Sequence, residues 1–449
     1  MARVFISPLG TNKYLPCYYE IDGRRSARPV NFIQEALLAH WCVSWTAEDR
    51  ILILCTREAE ERNWLNGGNF EKGLRTRIEE LNLPAQRQML PIPDGKNETE
   101  IMDIFMILME ALKPQDQVYL DVTHSFRSLP LLQTVILNYA KVLKDIRVER
   151  IVYGAFETMG TLKEVEQRPV EQRIAPVFDL TPYDALLDWA RAVDIFQKAG
   201  RPQEIKRLIG RNLGAVFNKR QEQDQKKLAC SMSTLGNQLE NLCLNLSAAR
   251  GPHVLKAQSF DEQLDAVENQ RLIPPLTPLL EILRRKVQRF KVQNETTKGF
   301  EAAAWCLEHE LIPQAYVLLR ETILSALCRW AGQDPMNEKM RENFWSALLH
   351  VVATGKPEKD WEGLLAQKRD EALHVLRTGG EALKTLAKKF EALRDRRNDL
   401  MHAGWKTDAK SAPSLLQFLQ NGGLESLRTA WEAFEAAVPP LSRGHGKGQ

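Results

Sequence analysis

Short runs of apolar and β-branched residues alternate with amphipathic stretches over the first third of the chain. Runs that predict strands are RVFIS (3–7), RILILC (50–55), RQML (87–90), VYLDV (118–122) and RIVYGAF (150–156). Apolar residues at helical spacing predict helices between them, at about 30–43, 70–82, 98–112 and 128–144. Nearly all-apolar strands that alternate with helices are typical of a parallel sheet covered on both faces. The pattern therefore predicts a Rossmann-like α/β domain over residues 1–156.

After about residue 157 the strand pattern gives way to helical spacing. Thr181 and Pro182 predict the start of a helix that stops at Gly200. Later helices are broken at GPH (251–253), IPPLTP (273–278), GQDP (332–335) and TGKPEKD (354–360). We expect a helical middle region over 157–300, a second helical domain over 301–440 and a disordered tail over 441–449. The predicted fold class is therefore α/β followed by all-α.

Composition and charge restrict the classes of function. A chain of 449 residues is long enough for about two or three domains. Its formal net charge is only +3, so any surface that binds nucleic acid must be local. The most apolar stretches are too short to span a membrane, and the N-terminus lacks the features of a signal peptide. We expect a cytoplasmic protein with no membrane partner.

Motifs for metal and nucleotide-triphosphate chemistry are missing from the sequence. The seven cysteines are dispersed with no C-x-x-C pair, which argues against a zinc or disulfide framework. The sequence contains no H-E-x-x-H, G-x-S-x-G or Walker-type G-x-x-x-x-G-K-[ST] motif. We therefore expect no metal and no cofactor.

The stretch DVTHSFRSLP (121–130) gathers polar side chains where a strand gives way to a helix. The N-terminus of a helix offers unpaired N–H groups and a partial positive charge, both suited to a phosphate. Arg127 can add a bidentate contact, while Thr123, His124 and Ser125 can bind sugar or base edges. The loop SPLGTNKY (7–14) follows the first strand and can line the same pocket. The alternative is that these polar residues only satisfy the turns.

These two stretches resemble a known family. DVTHSFRSLP resembles the D-x-T-H-G-x-R signature of CRISPR-associated Rossmann-like (CARF) domains in the DxTHG-motif CARF–HEPN ribonucleases of type III systems. SPLGTNKY followed by CYYEI is similar to the first loop of that family, and the resemblance covers most of residues 1–156. It implies a domain that dimerises and binds a cyclic oligoadenylate across its two-fold axis. A third polar loop, GKNETE (95–100), precedes another predicted helix.

The resemblance also implies which residues contact the ligand. The residues that face it come from the two loops: Ser7, Gly10, Thr11, Asn12, Tyr14, Thr123, His124, Ser125, Phe126 and Arg127. Asp121 is expected to brace the turn. The glycine of the family motif is Ser125 here, which leaves ring size and turnover of the ligand open.

A second candidate site lies in KKFEALRDRRNDLMHAGW (388–405), a charged amphipathic helix that is expected to stop at Gly404. Its predicted buried stripe is Leu386, Phe390, Leu393 and Leu400. Asn398 and His402 are four residues apart and share a face, with Arg397 beside them. His402 can act as general base or acid, Arg397 can balance phosphate charge, and Asn398 can orient either one. This set suits RNA cleavage without a metal.

Spacing alone does not single out this pair. Arg369 and His374 fit the same Arg-x4-His template, and such pairs are more often a solvated helix face. Asn398 follows its arginine as in the R-N-x-x-x-H form of the HEPN ribonuclease motif, whereas Asp370 would bring negative charge to the rival pair. Residues 384–406 hold seven Lys or Arg against three Asp or Glu, a local basic surface for RNA.

Together the residues and the resemblance predict a homodimeric ribonuclease, or a higher oligomer, activated by cyclic oligoadenylate in type III CRISPR antiviral defence. We expect cyclic tetra-adenylate to be favoured over hexa-adenylate. The expected product of single-stranded RNA cleavage is a 2′,3′-cyclic phosphate. Two alternatives remain: a ligand-responsive regulator that cuts nothing, and a ring nuclease that degrades its own cyclic oligoadenylate.

Overall fold

The structure, a computed structural model, describes residues 1–124, 129–212, 222–257, 259–268, 274–405 and 407–440. The chain divides into two compact units, Met1–Leu187 and Asp188–Gln449. The first unit contains a β-sheet with helices, and the described part of the second is helical. The predicted fold class, α/β followed by all-α, is confirmed.

One sheet organises the first unit. Its strands are β1 (Arg3–Leu9), β2 (Tyr18–Ile21), β3 (Arg24–Arg25), β4 (Arg50–Cys55), β5 (Gln86–Pro91), β6 (Gln117–Asp121), β7 (Arg147–Gly154) and β8 (Ile174–Asp179). Their order across the sheet is β3-β2-β8-β7-β6-β1-β4-β5. The pairs from β7 to β5 are parallel, as are β2 and β8, while β7–β8 and β2–β3 are antiparallel. All five strands predicted from sequence are present.

Side chains of the central strands alternate between two cores because successive residues of a strand point to opposite faces. Phe5 packs in one core with helices Ile33–Trp41 and Leu74–Glu80. Its neighbours Val4 and Ile6 pack in the other core, which helices Glu98–Ala111 and Leu129–Lys144 cover. Coverage on both faces explains why strands such as RILILC are apolar throughout.

The α/β unit extends past residue 156, where the sequence pattern ended the domain. Strand β8 returns to the sheet through Ala155 N–H, Leu180 N–H and its antiparallel pairing with β7. The strand was not predicted from sequence because Pro176 and the mixed exposure of its side chains disrupt the usual alternation of buried and exposed residues. The compact unit accordingly runs to Leu187. The finer division at residues 300 and 440 stays a prediction, and the tail 441–449 lies outside the described residues.

The second unit is a set of packed helices. Its main helices are Thr181–Ala199, which begins in the first unit, Gln203–Asn212, Glu222–Ser247, Asp261–Glu268, Thr277–Val287, Glu295–Glu308, Ile312–Trp330, Ala347–Thr354, Arg369–Met401, Ala412–Phe418 and Leu424–Ala437. Helix Ile312–Trp330 packs against Glu295–Glu308 and Arg369–Met401. Large aromatic side chains fill the space between them, including Trp305, Tyr316 and Phe390. Helix Arg369–Met401 is kinked at Gly380, whose φ is 47°.

Candidate functional site

The first candidate site lies where β1 and β6 end side by side. Ile6 of β1 is in register with Leu120 of β6, so Ser7 and Asp121 follow at neighbouring positions. Strand β1 runs to Leu9, two residues beyond the predicted end. Ser7, the last residue of the predicted strand and the first of the stretch SPLGTNKY, is therefore a buried residue inside the strand.

Buried hydrogen bonds connect Ser7 and Asp121. The Ser7 hydroxyl donates to Asp121 Oδ2 at 2.7 Å, and Gln34 Nε2 donates to Ser7 Oγ at 2.9 Å. The Thr123 amide donates to Asp121 Oδ1 at 2.9 Å, while Thr123 Oγ1 accepts from Gly154 N at 2.8 Å. Burial raises the pKa of the Asp121 carboxyl, and the bonds from Thr123 and Ser7 oppose that rise. This network fixes the turn after β6 to two neighbouring strands.

Tyr14 and His124 bring the two predicted loops together. Their rings stack with centroids 4.3 Å apart and planes 25° apart. A Cβ on Gly10 would lie 2.3 Å from the Tyr14 hydroxyl, so the ring needs a glycine at that position. Burial lowers the pKa of His124 to about 4, which keeps its imidazole neutral near pH 7. The His124 Nε2 atom is buried and has no hydrogen-bond partner among the described residues.

Two asparagines that were not predicted from the sequence hold the first loop in place. Asn63 is fully buried, and its Nδ2 donates to Gly10 O at 2.7 Å and to Asn12 O at 2.9 Å. Asn69 Nδ2 donates to Thr11 O at 3.1 Å and to Asn63 Oδ1 at 2.8 Å. The side chain of Asn12 itself is exposed. The loop thus has a fixed backbone and an accessible side chain.

The remaining predicted residues are the last three of the second loop and those of the third polar loop. Ser125, Phe126 and Arg127 lie outside the described residues. In the third polar loop Asn97 caps helix Glu98–Ala111 by accepting from the Glu100 amide at 2.9 Å. That loop therefore has a local structural role.

The second candidate site is at the C-terminal end of helix Arg369–Met401. Arg397 is half-buried, whereas Asn398 and His402 are exposed. Arg397 Nη1 donates to Asn398 Oδ1 at 3.4 Å. The helix ends at Met401 because Ala403 and Gly404 adopt left-handed backbone angles, with φ of 52° and 71°. His402 therefore projects from a helix end that solvent can reach.

Three of the four apolar residues in the predicted stripe of this helix are buried in the structure. Leu386, Phe390 and Leu393 are buried, and Leu400 is half-buried near the helix end. Asp399 is also buried, and one of its oxygens accepts from the Lys410 amide at 2.7 Å. This bond ties the segment after the helix back to it. Trp405, which follows in that segment, is 91% exposed.

An ion pair from two other helical segments lies near Arg397. Arg320 is buried and donates from both terminal nitrogens to Glu342, at 2.7 and 2.5 Å. Burial lowers the pKa of Arg397, Arg320 lowers it further, and the Glu342 carboxylate opposes both. Arg320 also pairs with Glu321 at 2.6 Å. These residues therefore form a group of ion pairs beside Arg397.

The rival pair has a different environment on the same helix. Arg369 forms an ion pair with Glu358, and His374 is exposed one turn further along. The charge of Arg369 is thereby partly balanced by a direct ion pair, whereas the carboxylate near Arg397, that of Glu342, is held by Arg320. This difference favours the later pair as a phosphate-binding site.

The described residues contain neither a cluster of metal ligands nor a membrane-spanning helix. Three or more His, Cys, Asp or Glu side chains do not gather in this part of the chain in a way that would hold a metal ion. None of the helices in the described ranges is both long enough and apolar enough to cross a bilayer.

Fold and sites together define a class of protein: a Rossmann-like α/β unit with a polar strand-end crevice, followed by a helical unit with a helix end at which Asn398 and His402 are exposed beside Arg397. Searches against protein-family models find no match. The CRISPR-associated protein MJ1674 of Methanocaldococcus jannaschii is 25% identical over 229 residues, which are 51% of this chain and 32% of that protein. The chain thus matches about a third of the length of this curated relative.

Among solved structures, Enterococcus italicus Csm6 bound to cyclic hexa-2′-fluoro-hexa-dAMP is similar, with a TM-score of 0.47 and 11% sequence identity. The alignment covers 98% of this chain and 95% of that one. The chain is thus similar over about half of its length to a CRISPR-associated protein, and its α/β and helical units follow one another in the order that the sequence predicts.

Proposed function

We propose that this protein is a homodimeric endoribonuclease that a cyclic oligoadenylate activates, with cyclic tetra-adenylate favoured over hexa-adenylate. The observation that carries the proposal is the helix end where His402 and Asn398 are exposed beside half-buried Arg397, with buried Arg320 nearby. A regulator without nuclease activity has no need of an accessible imidazole next to arginine at this position.

The strand-end crevice supports the sensing role. The amide and hydroxyl groups of Thr11, Asn12 and Thr123 lie in the two loops that meet there, and the stacked rings of Tyr14 and His124 offer aromatic surface. A neutral His124 can donate or accept a hydrogen bond at a base edge without carrying charge. We assign ligand contacts to these residues and to Gly10, with Ser125, Phe126 and Arg127 included on the resemblance alone. Ser7 and Asp121 brace the crevice from behind.

An exposed apolar face supports the dimer. Helix Leu129–Lys144, which follows the DVTHSFRSLP loop, exposes four apolar side chains at helical spacing: Leu131, Val135, Tyr139 and Val142. Met102 and Met106 of helix Glu98–Ala111 are exposed as well, and Phe105 packs 5.6 Å from the Tyr139 ring. Apolar faces of this kind mark contacts with other molecules. A second copy related by a two-fold axis would cover this face with the same residues.

In the proposed reaction the 2′-hydroxyl of RNA attacks the adjacent phosphorus. The bond from phosphorus to O2′ forms, the bond to O5′ breaks, and the products are a 2′,3′-cyclic phosphate and a 5′-hydroxyl. One His402 imidazole takes the 2′ proton and the imidazole of the second copy donates a proton to O5′. Arg397 balances the charge that develops on the phosphate oxygens, and Asn398 orients the substrate.

The test is a fluorogenic single-stranded RNA mixed with the protein and each cyclic oligoadenylate in turn, in EDTA. We expect cleavage with cyclic tetra-adenylate, and a loss of at least about 100-fold in His402→Ala or Arg397→Ala, as for removal of a general acid-base group. Arg369→Ala and His374→Ala are matched controls, because they remove the same residue types at the same spacing from the same helix.

Equal activity of His402→Ala and wild type would exclude the proposed site. Loss of the cyclic oligoadenylate itself, followed with labelled ligand in the His402→Ala protein, would indicate a ring nuclease. If RNA stays intact with every ligand, the regulator alternative is favoured.

A further inference from the structure

A polar cavity of about 410 Å³ lies beside the helix that carries Arg397 and His402. Its walls come from three segments of the helical unit: Lys389 and Arg396 of helix Arg369–Met401, Ser414, Gln417 and Phe418 of helix Ala412–Phe418, and Asn421, Gly422, Gly423 and Ser426 from the turn and helix that follow. The volume is in the range of about 300–1,000 Å³ that ligand sites occupy. The proposed cleavage chemistry makes no use of this cavity.

The lining has the charge of an anion site. It contains two cations and four neutral polar side chains, and no carboxylate. Within the described parts of the chain, neither Lys389 nor Arg396 forms an ion pair with an acidic side chain. Two cations without acidic partners in one cavity attract an anionic ligand.

Arg396 is held in a fixed orientation. Its guanidinium carbon lies 3.8 Å from the centroid of the Phe418 ring, and Nη1 donates to Ala392 O at 2.8 Å. Stacking on an aromatic face fixes the guanidinium plane. A fixed plane of this kind can stack on a nucleobase, as arginines do in single-stranded RNA recognition.

The rim of the cavity is open. Lys389, Ser414, Gln417 and Asn421 are all exposed, which suits a strand that passes through the cavity better than a small molecule enclosed by it. Lys389 and Arg396 are seven residues apart and so share one face of the helix, and Arg397 begins the adjacent face. A strand bound at Arg397 therefore has this cavity on its flank.

We propose that the cavity binds one nucleotide of the single-stranded RNA outside the cleavage site, with its phosphate at Lys389 and its base on Arg396. This inference rests on the proposed ribonuclease function. The cavity thereby provides a second contact point for the RNA strand. The side-chain amides of Gln417 and Asn421, which line it, are placed to contact the base.

The test measures RNA affinity against salt concentration by fluorescence anisotropy, in the His402→Ala background so that the strand survives. Adding Lys389→Gln is expected to reduce the slope of log K against log salt by about 0.7, the value for one phosphate contact with a single strand. Lys388→Gln is the matched control, since Lys388 is an exposed lysine one position earlier that does not line the cavity. It should leave the slope unchanged. Arg396→Lys keeps the charge and loses the plane, so affinity should fall at constant slope.

Equal changes of slope in the two lysine variants would overturn the inference, because they would show only diffuse attraction. Competition of inorganic phosphate or AMP for the Lys389 site, with RNA affinity independent of Lys389, would also overturn it in favour of a small ligand. A different result would contradict the proposed ribonuclease function, namely RNA cleavage by the His402→Ala variant. In that case a slope change confined to Lys389→Gln would still support the cavity as an RNA site.

Discussion

Replacing Asn63 with alanine is expected to release the loop that holds Gly10 and Asn12. The Asn63 side chain is fully buried, and one nitrogen donates to both loop carbonyls, at 2.7 and 2.9 Å. Asn69 would remain as the second support through its bond to Thr11 O at 3.1 Å. The variant therefore loosens the loop without removing any predicted ligand contact.

The size of the effect follows from three lost hydrogen bonds: the two to Gly10 O and Asn12 O, and the one that Asn63 Oδ1 accepts from Asn69. Each is worth about 0.5–1.5 kcal/mol net, so the free energy of unfolding should fall by about 3 kcal/mol. Fixing the backbone of one loosened residue again costs about 1–2 kcal/mol when ligand binds. We therefore expect cyclic oligoadenylate affinity to fall by about 10-fold.

Asn63→Asp makes the test sharper. The aspartate has the same shape, but it would place an oxygen against the carbonyl oxygens of Gly10 and Asn12. It should destabilise the unit more than alanine does, because a donor becomes a buried charged acceptor. Urea unfolding and calorimetric titration of the ligand measure the two effects. If Asn63→Asp matches wild type in both, the amide does not hold the loop and the reasoning is refuted.

Four further predictions concern the other contacts. His124 stays neutral in the fold down to about pH 4, so its unfolded form gains the proton first as pH falls below 6.5. Stability should drop by about 2–3 kcal/mol between these pH values, and a urea series should show a smaller drop in His124→Gln. Trp405→Ala should weaken RNA binding by about 1–3 kcal/mol in anisotropy, if the exposed ring stacks on a base, while Trp405→Phe retains most of it. Glu342→Ala should cost about 3 kcal/mol in urea unfolding, because it leaves buried Arg320 beside Arg397 with one partner fewer. Val142→Glu should yield monomers in light scattering, whereas Val43→Glu, at an exposed apolar residue off that face, should not.

Much of the fold could be predicted from local patterns in the sequence. The strands of the parallel core were predictable because residues buried on both faces are apolar throughout, as in RILILC. The end of helix Arg369–Met401 was predictable because Gly404 tolerates a left-handed backbone. The polar run after β6 predicted a candidate site there, since loops at the carboxyl ends of parallel strands meet at one edge.

Tertiary structure decided the contacts between residues that are far apart in the chain. Strand β8 joins the sheet through pairing with β7. Its own alternation of buried and exposed residues is too weak to predict a strand. Asn63 reaches a loop 53 positions earlier, and Glu342 meets Arg320 from 22 positions away. Periodicity reports which face of an element is buried, but it does not report which distant partner covers that face. That choice depends on the packing of the whole unit, and so the roles of Asn63, Asn69 and Glu342 emerged only from the structure.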